Sequence, residues 1–105
     1  MSSHELICVI ANTGYADDIM DSAREAGATG GTIIKARGTG TQDDGSFFGI
    51  TIVPEKEMVM IVVKSGQYER ILSAVKDCPC LTETGVGIVF SLPVEGFFPL
   101  GIGKK

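Results

Sequence analysis

Residues 58 to 63, Met-Val-Met-Ile-Val-Val, are apolar at six consecutive positions. A strand sends alternate side chains to opposite faces of its sheet, so a run that is apolar at both alternations asks for cover on both faces. The chain has 105 residues, which allows one core and not two. Two amphipathic helical segments are all that the rest of the sequence offers as cover, and both fit on one face. The other face is then closed by further copies of the chain; the alternative is a central strand enclosed within a single chain.

The remaining elements fall around this strand. Glu5 to Ala11 is short, apolar and rich in Ile and Val, a buried strand by pattern. Thr13 is the expected cap of a first helix, with Asp17 and Asp18 in its opening turn, where acids favour the positive end of the helix dipole. Tyr15, Ile19, Met20, Ala23 and Ala26 form its apolar face, and Gly27 is its stop. Thr32 to Arg37 returns to period two, setting Ile34 and Ala36 against Lys35 and Arg37. A polar stretch, GTGTQDDGS, follows. Phe47 to Val53 and Glu57 to Lys64 read as strands, separated by Pro54, which cannot donate to a ladder. The second helix is expected from Gln67 to Asp77, capped by Ser65, with Tyr68, Ile71, Leu72 and Val75 on one side. The last strand is Val86 to Val94, and residues 95–105 form a Gly- and Pro-rich tail carrying Phe97 and Phe98. The order β-α-β-β-α-β predicts an α+β sandwich with two helices on one face of a four-stranded antiparallel sheet. The halves 5 to 40 and 57 to 94 are each a βαβ unit, without a convincing sequence repeat.

Composition narrows the function classes. The chain is 44% hydrophobic, as expected of an ordered globule. Its net charge of −4 and its nine scattered cations argue against an unassisted nucleic-acid binder, because phosphate-backbone affinity comes from clustered Lys and Arg. No segment reaches the ~18 consecutive apolar residues of a membrane span, and MSSHELICVI has neither a basic n-region nor a small-residue cleavage site. Three cysteines, an odd number, fit a reducing compartment, so a soluble cytoplasmic protein without membrane insertion is the expectation.

Most local motifs dissolve on inspection. GTGTQDDG, residues 38 to 45, follows the second strand into a loop and lacks a third glycine opening a helix, so a dinucleotide fingerprint fails. GIGKK lacks the Ser or Thr and the helix of a phosphate loop. Cys78 and Cys80 supply two thiols where a closed zinc site wants four ligands, and the single histidine, His4, is near the chain start. Cys8 reads as apolar filler of the first strand. No serine or cysteine is paired with a base, so nucleophilic catalysis has no constellation. Asp17, Asp18 and Asp21 read as a solvated helix face, and Asp43 and Asp44 as loop acids. Two glycine-bearing turns remain, Gly38 with Gly40 and Thr84 to Gly87. Successive amides there can form an anion-binding concavity, or the glycines can serve turn geometry alone.

The segments ATGGTIIKARGTGTQ, MVMIVV and TETGVGIVFSLPV together resemble the PII signal-transduction family, in element order over most of the chain. The resemblance implies a ferredoxin-like fold in one domain, residues 1–105, assembled as a homotrimer whose sheets line a central core. It implies a non-enzymatic regulator, of the kind known in nitrogen regulation, that binds an adenine nucleotide (ATP, ADP or AMP) between subunits and acts on a target protein, an enzyme or transporter. By motif, Gly38, Gly40 and Gln42 match the base of the family's long T-loop. Gly85 and Gly87, with Val86 between them, match the B-loop beside the phosphates. Gly30, Gly31, Thr32 and Val62 match the adenine contacts.

The departures are equally specific. Val86 and Ile88 stand where the family has an acid and a lysine, and GFFPLGIG replaces the segment that usually carries two arginines. Each lost cation removes a charge-assisted hydrogen bond to phosphate of roughly 1.5–3 kcal/mol, so ATP binding through the usual contacts is weakened by several orders of magnitude. Lys35, Arg37, Lys104 and Lys105 are the cations available in their place. The T-loop, residues 41–48, is shorter than usual and lacks the tyrosine modified in some members; Phe47 and Phe48 are its candidate target contacts. An alternative of another class is a metal-binding trimer similar to the CutA proteins, using Cys78 and Cys80. An acylphosphatase-like enzyme would want an arginine in a phosphate loop after the first strand, and ANTGYADD has none.

Overall fold

The computed structural model describes residues 3–38, 46–47, 50–51, 55–78 and 87–100. In chain order the elements are β1 (His4–Asn12), α1 (Ala16–Glu25), β2 (Thr32–Arg37), β3 (Ser46–Phe47), β4 (Ile50–Thr51), β5 (Glu55–Lys64), a 3-10 turn (Ser65–Gln67), α2 (Tyr68–Lys76) and β6 (Gly87–Val94). The main sheet runs β2-β5-β1-β6, and every neighbouring pair is antiparallel. This is the α+β sandwich that the pattern predicts, with the doubly apolar strand β5 in an interior position.

Register explains the core. Val9 stands opposite Val59 and Val89, and Ile7 opposite Ile61 and Ser91, so these residues share one face. Ile7, Val9, Val59 and Ile61 are fully buried there, against Ile19 of α1 and Ile71 and Val75 of α2. Burying side chains of this size stabilises by about 1.5–3 kcal/mol each, which makes this layer the main source of stability. Two polar ties lock the helices in place. The Tyr68 hydroxyl and Ser91 Oγ are 2.6 Å apart, linking α2 to β6, and Arg70 Nε donates to the Ala26 carbonyl at 2.7 Å, satisfying the end of α1 from the neighbouring helix.

Helix α1 stops as the glycine predicts. Gly27 has φ +115°, its amide donates to Arg24 O, and the Ala28 amide donates to Ala23 O, the paired bonds of a Schellman motif. Its start differs from expectation. Tyr15, not Thr13, is the N-cap residue, without a side-chain capping bond, because the turn at Gly14 (φ +107°) separates Thr13 from the helix; the Thr13 amide instead donates to Glu55 O. Likewise Gln67 takes the cap position of α2, since Ser65 opens the 3-10 turn before it. The strand expected over Phe47 to Val53 is not one element: Ser46–Phe47 pairs with Ile50–Thr51 in a separate two-stranded ladder.

Among the described residues, no helix packs on the opposite face of the sheet. Its side chains stand in cross-strand rows: Ile34, Met58, Ile10 and Ile88; then Thr32, Met60, Cys8 and Phe90; then Val62, Leu6 and Leu92. Ile88 is 60% exposed, Leu92 49% and Val62 40% in the single protomer. Cys8 alone is deeply placed among them, and burial pushes its thiol pKa up.

Candidate functional site

The sequence-derived ligand residues fall into groups that one protomer does not bring together. Gly38 directly follows β2, and Gly87 opens β6 at the other edge of the sheet. With β5 and β1 between them and strands ~4.8 Å apart, these glycines are separated by more than about 14 Å, since Gly87 lies level with Lys35 and Gly38 is three residues further along. Gly30, Gly31 and Thr32 lie at the start of β2, while Val62 projects from the same face of β5 as Met60, which pairs with Thr32. Gly40, Gln42, Gly85 and Val86 lie outside the described residues, as do the 41–45 part of the T-loop, Cys80, Lys104 and Lys105.

Two of the glycines have a packing reason independent of any ligand. A Cβ on Gly87 would sit 2.6 Å from Ile10 O and 3.0 Å from Ala11 Cα, so β6 can approach β1 only without a side chain there. At Gly31 it would meet Met20 Sδ at 2.8 Å and Met60 O at 3.0 Å. Gly30, by contrast, has nothing within 4 Å of a Cβ, and Gly38 faces only the flexible stem of Lys56. Close packing therefore accounts for Gly31 and Gly87, and leaves Gly30 and Gly38 available to a ligand.

Beside Gly38 is a cleft of about 430 Å³, lined by Thr13, Lys35, Ala36, Arg37, Glu55 and Lys56. Lys35 and Arg37 line it from β2. Lys56 was not singled out from the sequence, although its place just before the apolar run, on the open face between Ala36 and Asn12, is the signal for it. Its Nζ donates to Asn12 Oδ1 at 2.7 Å, which fixes the ammonium at the head of the cleft. Lys56 also lines a notch of about 240 Å³ with Ile10, Gly87 and Ile88, and so stands between the two glycine turns. Among the described residues the ion pair within 4.0 Å is Arg24–Asp21, on the outer face of α1. All three cations line the cleft, but the register sets Lys35 and Arg37 across from Glu57 and Glu55 on the helix-side face of the sheet and Lys56 on the open face, so the cleft straddles the sheet edge and carries acids as well as cations.

Among the described residues, Cys8 and Cys78 line neither cleft. Cys78 is buried in the helix-side core at the end of α2, and no group of three or more His, Cys, Asp or Glu placed to hold a metal occurs among the described residues. Cys80, the other thiol of the metal-binding alternative, lies outside the described residues.

The fold and the clefts define a class: a ferredoxin-like sandwich with an uncovered apolar sheet face and basic clefts at its edges. Comparison with known proteins is specific. The family model for nitrogen regulatory protein P-II matches residues 4–98, and the chain belongs to that family, whose members are signalling regulators rather than enzymes. Among solved structures the chain is similar to PII from Arabidopsis thaliana bound to citrate, with a TM-score of 0.72 and 22% identity, over 99% of this chain and 86% of that one. No curated protein matches. Among the described residues, no helix is long and apolar enough to cross a membrane.

Proposed function

We propose that this chain, a single domain over residues 1–105, works as a homotrimeric cytoplasmic signal transducer that takes a small anionic ligand into the cleft between neighbouring subunits. An adenine nucleotide with few phosphates, ADP or AMP in preference to ATP, is the ligand, and residues 41–48 form a short T-loop through which binding reaches a target enzyme or transporter. The protein regulates and does not catalyse.

The uncovered sheet face carries this reading. Three rows of apolar side chains on the side without helices form a surface of the kind that monomers rarely leave open. Joining copies through it is also what a complete site requires, since Gly38 and Gly87 stand on opposite edges of one protomer. The charge of the cleft fits the ligand class: Lys35, Arg37 and Lys56 suit phosphate or carboxylate, and citrate, a polyanion, is what the similar Arabidopsis structure holds. Ligand energy would then order the loop that begins at Gly38.

Light scattering at micromolar concentration tests the assembly, with a mass three times the 11.1 kDa chain expected and a monomer refuting it. Thermal shifts with ATP, ADP, AMP, cyclic nucleotides, 2-oxoglutarate, bicarbonate and citrate test the ligand. A ligand at 100 times its Kd stabilises by about 2.7 kcal/mol, so selective binding by an adenine nucleotide is readable, and a flat response across the panel refutes the sensor.

A further inference from the structure

Cations are spread unevenly over the sheet. Met1 to Ala23 and Asp77 to Gly103 contain no Lys or Arg, so β1 and β6 bring neither to the open face. Strand alternation sends Lys35 and Arg37 to the helix side, and Lys56 and Lys64 to the open side, eight residues apart on β5 and so about 26 Å at the strand rise. Among the described residues, Lys56 is therefore the one Lys or Arg of the sheet at its end of the open face.

Its side chain connects the two glycine turns. Gly38 leaves room for the stem, since a Cβ there would come 2.9 Å from Lys56 Cε and 3.2 Å from Lys56 Cγ. Past the stem, Nζ crosses from β5 to β1 and donates to Asn12 Oδ1 at 2.7 Å, and the same side chain lines the notch beside Gly87 and Ile88. An ammonium has three donors, and Asn12 takes one. Because Asn12 is neutral, it aims the charge without cancelling it, which leaves two donors for further acceptors. We propose that Lys56 seats the anionic group of the ligand, a phosphate or a carboxylate, between the Gly38 and Gly87 turns, with Asn12 as its positioning residue. The proposal rests on the anionic-ligand reading above and deepens it by naming the cation that decides binding. Neither residue belongs to a recognisable motif: each acquires its role from the pairing of β1 with β5, which sets Asn12 directly opposite Lys56.

Isothermal titration of the full chain with ADP, AMP and citrate tests this. Lys56→Met weakens each of these that wild type binds by about tenfold or more, as loss of a charge-assisted hydrogen bond implies. Lys76→Met removes the same charge at the end of α2 and leaves affinity unchanged. Asn12→Asp sets a carboxylate against the ammonium, so it weakens binding as Lys56→Met does while the melting temperature holds; a purely structural contact would keep its affinity there. If Lys56→Met or Asn12→Asp binds like wild type, or if Lys76→Met loses as much as Lys56→Met, the seat is overturned and the sensor reading stands. If wild type binds none of the three probes, both fall.

Discussion

Gly87→Ala separates a ligand reading of the B-loop from a packing one. The new methyl would be placed 2.6 Å from Ile10 O and 3.0 Å from both Cα and Cβ of Ala11, and the obstacle is mostly backbone of β1, the strand between β5 and β6. Neither partner can rotate away, so β6 must shift. Overpacking of this kind costs about 1–3 kcal/mol. For a domain near 100 residues, each kcal/mol lowers Tm by roughly 4–8 °C, which sets the expected loss at about 5–20 °C. Gly30→Ala is the matched control: its methyl meets nothing within 4 Å, and a lower unfolded-state entropy makes it neutral or stabilising by up to about 1 kcal/mol. Thermal unfolding followed by circular dichroism, without ligand and at one fixed protein concentration, measures both, the fixed concentration being needed because assembly couples to stability. If Gly87→Ala melts within 2 °C of wild type, about the smallest shift worth reading at this scale, the packing argument is wrong and the glycine serves the ligand instead.

Other outcomes follow from single contacts. Tyr68→Phe and Ser91→Ala each cost about 1 kcal/mol by breaking the 2.6 Å bond, and the double variant costs clearly less than the sum, read by urea denaturation. Ile71→Ala opens the fully buried seam between α2 and the sheet and lowers stability by about 2–5 kcal/mol in the same assay. Leu92→Glu puts a charge on the open face, at a residue 49% exposed in one protomer; light scattering then gives a monomer with wild-type secondary structure, and a variant that keeps its assembly argues against joining through that face. Cys8, whose thiol pKa is raised by burial, resists alkylation at neutral pH until the protein unfolds, as mass spectrometry of iodoacetamide-treated protein shows.

The sequence by itself determined the layers. The continuous apolar run Glu5 to Ala11, the period-two run Thr32 to Arg37, and the helical faces of Ile19 with Ala23 and Ile71 with Val75 specify strands and helices because burial follows the spacing of each backbone. The doubly apolar Met58 to Val63 placed β5 inside the sheet and left one face to be covered. Capping was less legible: Thr13 has the right chemistry, but a positive-φ turn at Gly14, invisible in a propensity count, moves the helix start past it. The tertiary structure alone decided which glycines are forced and which are free. The sequence shows Gly30, Gly31, Gly38 and Gly87 as equivalent, while the fold sets backbone against two of them and open space or a flexible lysine stem beside the others. It also decided which distant residues share a site. Lys56 comes to the same sheet edge as Lys35 and Arg37, and His4 meets Phe97, because antiparallel pairing brings together residues that lie tens of positions apart, and no local pattern encodes such a distance.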